Sequence, residues 1–344
     1  QPRLADTLEQ LGREGLEAFY RGEIAEALAR DLLVVDSPLS DRDLSRFEAS
    51  PVTPLSLDLP CGRVYNLPPP TQGVASLIIL GLFQQLDVTG AESFEHVHGL
   101  IEATKAAFRV RDRLVTDPER VPDDPASYLT PEWLAAAASG IDRMWASPWP
   151  RATPGGDTVW LGAMDSEGRS ASMIQSLYWE FGSGVVSPST GILLQNRGMS
   201  FSLDPAALQA LEPGRKPFHT LNPAMARLED GRTLVYGTMG GEGQPQTQAA
   251  VFSRHVLFGR PLQDAVTAPR WLLGRTWGSA STSLKLESRF EPPLLEALRR
   301  AGHDVEVLGP FADAMGHAGA ISRRTDGLLE GAADPRSDGQ VAAV

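Results

Sequence analysis

Gly155-Gly156-Asp157-Thr158-Val159-Trp160-Leu161-Gly162-Ala163-Met164-Asp165 is the run on which the reading of this chain turns. Every residue from Val159 to Met164 is apolar or glycine, the pattern of a strand covered on both faces. Asp165-Ser166-Glu167-Gly168 then supplies turn residues, and an extended segment resumes over 170–177, so the spacing predicts a hairpin of 158–164 with 170–177. Just upstream, Ser147-Pro148-Trp149-Pro150-Arg151-Ala152-Thr153-Pro154-Gly155-Gly156 can propagate neither a helix nor a ladder. Residues 146–156 therefore read as an exposed, flexible connection between two blocks.

Ahead of that connection the periodicity is helical. Leu4, Leu8, Leu11, Leu16, Phe19, Ile24, Ala27 and Leu28 recur at helical spacing, giving two helices over 4–33 broken near 20–22. Two short strands, 55–59 and 63–67, flank Pro60-Cys61-Gly62 and stop at Pro68-Pro69-Pro70. Helices are expected over 73–86, 93–115 and 131–144, the last with Thr130 as cap and Pro131 in its first turn. Beyond the connection, strands are expected at 191–194, 222–228, 233–238, 284–286, 305–307 and 318–321, with helices at 246–258 and 292–301. A layered α+β sandwich with mostly antiparallel sheets fits this order.

Length and charge narrow the classes. The chain has 344 residues, enough for one large or two ordinary domains. Its 31 Lys+Arg against 43 Asp+Glu give a net charge of −12, which disfavours nucleic acid or an anionic membrane surface as partner. The longest apolar stretch, 74–83, is about half a membrane span. Cys61 is the lone cysteine, so neither an intrachain disulfide nor a multi-cysteine metal site can form.

Standard catalytic signatures are missing: there is no Gly-x-Ser-x-Gly elbow, Walker A loop or well-placed Gly-x-Gly-x-x-Gly. His96 and His98 invite a metal reading, but residues i and i+2 of a helix point to different faces, so a solvated helix face is expected there.

The central run, together with Phe181-Gly182-Ser183-Gly184-Val185-Val186, Thr190-Gly191-Ile192-Leu193-Leu194-Gln195-Asn196, Gly240-Gly241 and Ala333-Asp334-Pro335-Arg336, resembles the gamma-glutamyltransferase family of N-terminal nucleophile (Ntn) hydrolases. Phe19-Tyr20-Arg21-Gly22-Glu23-Ile24-Ala25 and Leu67-Pro68-Pro69-Pro70-Thr71-Gln72-Gly73 carry the likeness into the front of the chain. The resemblance implies a four-layer αββα sandwich and a precursor that cuts itself between Asp157 and Thr158. Residues 1–157 would be the rear of a large subunit and 158–344 a small subunit opening on its nucleophile, both contributing to one sandwich domain. The family's principal arginine for the substrate carboxylate belongs to a part of the pattern ahead of these residues.

The chemistry at Thr158 is self-consistent. A threonine hydroxyl is a poor nucleophile alone, but cleavage after Asp157 would give Thr158 a free α-amine titrating at roughly 7.7–8.0, so one residue would supply nucleophile and base. On local pattern alone, Thr158 reads simply as a β-branched residue opening a strand. Gly240-Gly241, at the end of a strand, resembles the family's oxyanion-hole pair, whereas by itself it reads as a glycine turn. Ser176 stands where the family usually carries a threonine that hydrogen-bonds the nucleophile's amine; it is otherwise an ordinary strand serine.

Departures from the family pattern redirect the specificity. Tyr178, Arg197 and Ser200 stand where gamma-glutamyl enzymes hold the substrate's α-amino group with an asparagine, a glutamine and an aspartate. His219 and Thr220 replace a serine pair, and Trp160 replaces a histidine. Arg197 would repel an amine and attract a carboxylate, though charge alone fits a surface loop arginine as well. Gly156-Asp157-Thr158-Val159-Trp160, Gln195-Asn196-Arg197-Gly198 and Pro217-Phe218-His219-Thr220-Leu221-Asn222-Pro223 look more like the family's oxamate amidohydrolase branch. The expected function is hydrolysis of a small anionic, oxamate-like amide through an acyl-enzyme on Thr158, with Arg197, His219, Thr220, Trp160 and Tyr178 around the substrate. Alternatives are gamma-glutamyl hydrolysis and transfer, glutaryl removal as in cephalosporin acylases, and an unprocessed, non-catalytic homologue that acts by binding. No cofactor or metal is expected. The two subunits would stay together, with room for a dimer of such pairs, and a cytoplasmic location is expected by analogy with the oxamate branch.

Overall fold

The computed structural model describes residues 1–149, 157–274 and 282–343, with Asp157 described by its backbone. The expected flexible connection lies outside the described residues from position 150 to 156. The chain divides into two compact units, Gln1–Val52 with Trp179–Asn196, and Thr53–Tyr178 with Arg197–Val344.

The smaller unit carries α1 (Pro2–Glu14), α2 (Glu23–Val34) and the short α3 (Asp41–Arg46). The expected break near 20–22 is present just before α2, and it is preceded by a further one: Gly15, with φ +90°, ends α1 and a 3₁₀ turn follows over Leu16–Phe19. α2 turns Ile24, Ala25, Leu28 and Leu32 inward. The strand expected at 191–194 does not form; one isolated bridge joins Val186 to Leu193. Its backbone is spent locally instead, with Ser187 N–H donating to Ile192 O at 2.9 Å and Gly191 N–H to Ser187 O at 2.8 Å. Gly191 has φ +72°, and a Cβ there would lie 2.6 Å from the Leu4 nitrogen, so the chain turns where a strand would continue.

The larger unit is built on a six-stranded antiparallel sheet. Its order is β1 (Leu55–Leu59), β2 (Gly62–Asn66), β5 (Ala224–Leu228), β6 (Thr233–Thr238), β10 (Ala318–Arg323) and β11 (Leu329–Ala333). Residues alternate between its faces. Val64, Ala226, Leu234, Tyr236, Ala320 and Ala332 join the core with α4 (Gly73–Gln84) and α7 (Gln244–Phe252). α4 is buried from Gly73 to Phe83, which explains an apolar run too short for a membrane: it is sandwiched between the sheet, α5 (Phe94–Leu114) and α6 (Pro131–Ala138). No helix among the described residues is long and apolar enough to cross a membrane. α6 starts as expected, with Thr130 Oγ1 accepting from Trp133 N–H at 3.3 Å, but stops at Ala138 because Ser139-Gly140 cannot extend it. α7 runs on as a π-turn over Ser253–Leu257.

The opposite face of the sheet receives the hairpin β3 (Asp157–Met164) and β4 (Ser170–Tyr178). Its inward face carries Trp160 and Gly162, whereas Val159, Leu161 and Met173 are each about half exposed, at 49 %, 45 % and 51 %. Among the described residues a single layer packs on this hairpin. The rest of the unit is α8 (Leu262–Thr267) and a small sheet in which β7 (Trp271–Leu273) runs antiparallel to β8 (Leu284–Glu287). β8 connects through α9 (Pro292–Arg300) to the parallel β9 (Val305–Leu308). Helices on one face of the sheet and strands on the other make the expected α+β sandwich, in which antiparallel pairing dominates.

A buried ion cluster ties the chain's last segment down. Asp334 meets Arg270 at 2.5 Å and Arg336 at 3.0 Å, Arg336 grips Glu287 with both Nε and Nη2 at 2.6 Å, and Ala318 N–H donates to Asp334 at 2.6 Å. Burial raises the Asp334 pKa, but the two guanidiniums outweigh it and hold the carboxyl below its ordinary 3.8. The stability this group adds is therefore complete at neutral pH and lost as pH falls below about 4.

Two substitutions test this packing. Gly237→Ala would place a Cβ 2.0 Å from the Trp160 ring, and should cost roughly 1–3 kcal/mol in urea unfolding, as overpacking does. Asp334→Asn strands the buried Arg270 and should cost about 3–5 kcal/mol at pH 7, with the gap to the parent narrowing in acid.

Candidate active site

The seat of the hairpin fixes where Thr158 lies. Gly237 and Gly319 are direct cross-strand partners on β6 and β10, and neither has a side chain to fill the face between them. The Trp160 indole fills it: a Cβ on Gly237, Gly319 or Gly162 would fall 2.0, 2.4 or 2.5 Å from ring atoms. Trp160 Nε1–H donates to Ser172 Oγ of β4 at 3.0 Å, so the ring is oriented as well as packed. Trp160, expected beside the substrate, is thus placed as the peg that docks β3 on the sheet.

The hairpin's direction follows from its tip. Arg323, the last residue of β10, donates from Nη2 to Ser166 O at 3.3 Å, so the turn lies at that end of the sheet. The open end, where Asp157 pairs with Tyr178, consequently faces the other end, where Thr238 pairs with Ala318 and β6 runs out into Gly240-Gly241. A bulge interrupts the ladder between Asp157 and Val159, leaving Ser176 and Leu177 opposite Thr158. Ser176 Oγ accepts from Tyr178 N–H at 2.8 Å, and Tyr178 has φ +79°, a conformation its bulky side chain adopts only when held.

The glycine pair adopts a backbone that other residues rarely take. Gly240 has φ +121° and Gly241 φ +54°, positions where a side chain would be strained. Gly316, with φ +79°, packs against the pair, since a Cβ on Gly240 would lie 3.5 Å from its Cα. Arg270 of the ion cluster holds that neighbour, donating from Nη1 to Gly316 O at 2.7 Å.

A cationic wall adjoins the open end of the hairpin. Arg197 is buried, donates from Nη2 to Ser176 O at 3.3 Å, and stands 5.6 Å from the Tyr178 ring centroid. Burial lowers its pKa to about 10, which leaves it charged at neutral pH. His219 is driven down to about 4 by burial and by Arg197, so its imidazole is neutral at pH 7. Burial and the nearby Glu242 push the Tyr178 phenol up. Ser200 Oγ is turned to the carbonyls of Arg197 and Phe218 at 2.9 and 2.8 Å, and Thr220 is buried with its carbonyl accepting from Gln72. The structure brings Tyr178 and Arg197 together with His219 on one side of the hairpin's open end, and Glu242 joins them from beside the glycine pair.

The helix face carrying His96 and His98 is not solvated: both are 1 % exposed, because α5 is enclosed by α4, α7 and α9. As the spacing required, they point apart. His96 Nε2 meets Ser253 Oγ at 2.9 Å, while His98 Nδ1 meets His303 Nε2 at 2.9 Å. His98, His303 and Glu102 are close enough to share an ion, but their atoms are committed otherwise. Glu102 binds the Lys105 ammonium at 2.7 Å, and His98 Nε2 donates to Asp142 O at 2.9 Å. A cation already sits on the carboxylate, so hydrogen bonding accounts for this cluster. Gln72, Arg111 and Glu242, which connect to the glycine pair, had no reading from sequence; the signal available was the placement of Glu242 next to Gly241 and of Gln72 after three prolines.

Residues 1–344 match the Gamma-glutamyltranspeptidase family over their whole length. The oxamate amidohydrolase proenzyme of Klebsiella pneumoniae is 55 % identical over 342 residues, covering 99 % of this chain and 65 % of its own length. The glutathione hydrolase-like YwrD proenzyme of Bacillus subtilis is 40 % identical, covering 100 % of this chain and 66 % of its own. The crystal structure of cephalosporin acylase from Bacillus halodurans superposes with a TM-score of 0.90 at 34 % identity, covering 99 % of this chain and 62 % of the other. The chain thus spans about two thirds of the length of these relatives. With that agreement in sequence and fold, the chain belongs to the gamma-glutamyltranspeptidase family.

Proposed function

We propose that the protein containing this chain is an autoprocessing Ntn amidohydrolase that acts on a small anionic, oxamate-like amide. The observation that carries this reading is the orientation of the hairpin, which puts Thr158 at the end of the sheet where Gly240-Gly241 emerges. The Klebsiella relative, named an oxamate amidohydrolase proenzyme, supports the substrate class.

In the first reaction Thr158 Oγ adds to the Asp157 carbonyl carbon, and collapse of the intermediate breaks the peptide C–N bond and leaves an ester. Water then opens the ester, giving Asp157 a carboxylate and Thr158 a free α-amine. In the second reaction that amine takes the proton of Oγ–H as the oxygen attacks the substrate amide, and the N–H groups of Gly240 and Gly241 receive the developing oxyanion. The amine's proton passes to the departing nitrogen. Water, deprotonated by the same amine, releases the acyl group. In this reading Ser176, opposite Thr158 across the bulge, accepts a hydrogen bond from the amine. Arg197 binds the substrate carboxylate, with Tyr178, Thr220 and a neutral His219 around it. Residues 1–157 and 158–344 become parts of two subunits that remain associated, with a dimer of such pairs and a cytoplasmic location as the corresponding proposals for the whole protein.

Thr158→Ala should abolish oxamate hydrolysis in the full-length protein; retained turnover would remove the nucleophile. Arg197→Ala should lower kcat/KM for oxamate roughly tenfold to a hundredfold, as loss of a hydrogen bond to a charged group does. An unchanged kcat/KM would rule out contact with the carboxylate, and a preference for gamma-glutamyl or glutaryl amides would move the specificity to those acyl groups. The parent kcat should rise with pH to roughly 8, as the ammonium of Thr158 loses its proton.

A further inference from the structure

Gln72 joins the two walls of this site. Its side chain is fully buried at the N-terminus of α4, 0 % exposed. The carboxamide Nε2 donates to Gly241 O at 2.9 Å and to Thr220 O at 3.2 Å, and Oε1 accepts from Arg111 Nη1 at 3.1 Å. Each amide hydrogen therefore has a carbonyl, and the oxygen has a cationic donor, which fixes which way the group faces. Arg111 is itself held. It lies 3.9 Å above the Phe108 ring centroid and donates to Glu242 Oε2 at 3.1 Å and to Asp112 Oδ1 at 2.8 Å.

Two adjacent glycines with positive φ are poor at holding a direction, because nothing on their own side chains restricts them. The carbonyl of Gly241 is gripped from two sides, by Gln72 and by the Gln244 N–H. That carbonyl belongs to the Gly241–Glu242 peptide, so pinning it fixes the C-terminal side of Gly241 and restricts how far the residue carrying the second N–H can turn. The neighbouring residues lace the same segment down: His219 N–H donates to Pro70 O at 3.0 Å, and Thr71 Oγ1 donates to Leu221 O. One side chain thereby holds the oxyanion turn and the 219–221 wall in register with each other.

We infer that Gln72, oriented by Arg111, is a positioning residue that aims the Gly240-Gly241 turn at the developing oxyanion. The inference rests on the proposed roles of Thr158 and the glycine pair. It assigns Gln72 to both reactions, since self-cleavage and amide hydrolysis each pass through an oxyanion at this place.

The test is Gln72→Glu in the full-length protein, which keeps the acceptor for Arg111 and removes both donors. Expected are a fall in kcat for oxamate of about ten- to a hundredfold, KM within threefold of the parent, and a self-cleavage rate reduced by a similar factor, in a protein that circular dichroism shows to be folded at the assay temperature. A folded Gln72→Glu protein with kcat and self-cleavage within twofold of the parent overturns the inference, as does a raised KM at unchanged kcat. If Gln72→Glu does not fold, Arg111→Lys takes its place: a smaller loss confined to kcat and self-cleavage supports the inference, and no loss overturns it. Thr158→Ala, run alongside, separates the two levels. Turnover by that variant refutes the underlying site, whereas an inactive Thr158→Ala beside a fully active Gln72→Glu refutes the positioning role alone.

Discussion

The docking of Trp160 into a slot of three glycines is the constraint on which the rest of the site depends. A strand carrying a nucleophile has no catalytic meaning until its first residue is placed against something that can stabilise charge. Gly237 and Gly319 leave a flat opening on the sheet, Gly162 leaves room on the hairpin, and the indole closes the space. The bond from Trp160 to Ser172 and that from Arg323 to the hairpin turn then permit one direction for the strand. Burying so large an aromatic surface is worth several kcal/mol. That energy anchors β3 two residues from Thr158.

Buried charge recurs around this seat. Arg270 and Arg336 share Asp334, with Glu287 completing the cluster, and Arg111 faces Glu242; each buried guanidinium meets a carboxylate and further acceptors. Clusters of this kind add little net stability, because desolvation offsets most of the attraction, but they fix loops at defined places. Here the loops are those carrying Gly316 and Gly240-Gly241. Arg197 is buried too: it donates to the Ser176 carbonyl, burial depresses its pKa, and an aromatic ring and a neutral imidazole stand near it.

Much of the fold could be read from periodicity. α4, α5, α9 and the β3–β4 hairpin fall within a few residues of expectation because their patterns are long and their caps local. β7 and β11 escaped notice: β7 is three residues long, and Leu329–Ala333 contains a charge and a glycine that break the alternation. At 191–194 the apolar residues suggested a strand, but Gly191 turns the chain. In the candidate site, a motif singled out Thr158, Ser176 and the glycine pair, and their proposed roles rest on it. The packing of Trp160 was not legible, since its slot is assembled from glycines on three strands, nor was Gln72, whose partners at Arg111, Thr220 and Gly241 lie 39 to 169 residues away.

Everything in this account converges on Thr158 acquiring a free amine. Intact-mass and amino-terminal analysis of the catalytically active full-length protein measures that directly. The account predicts two fragments, the smaller beginning at Thr158 with the mass of residues 158–344. An active preparation in which Asp157 and Thr158 remain joined by a peptide bond would contradict it.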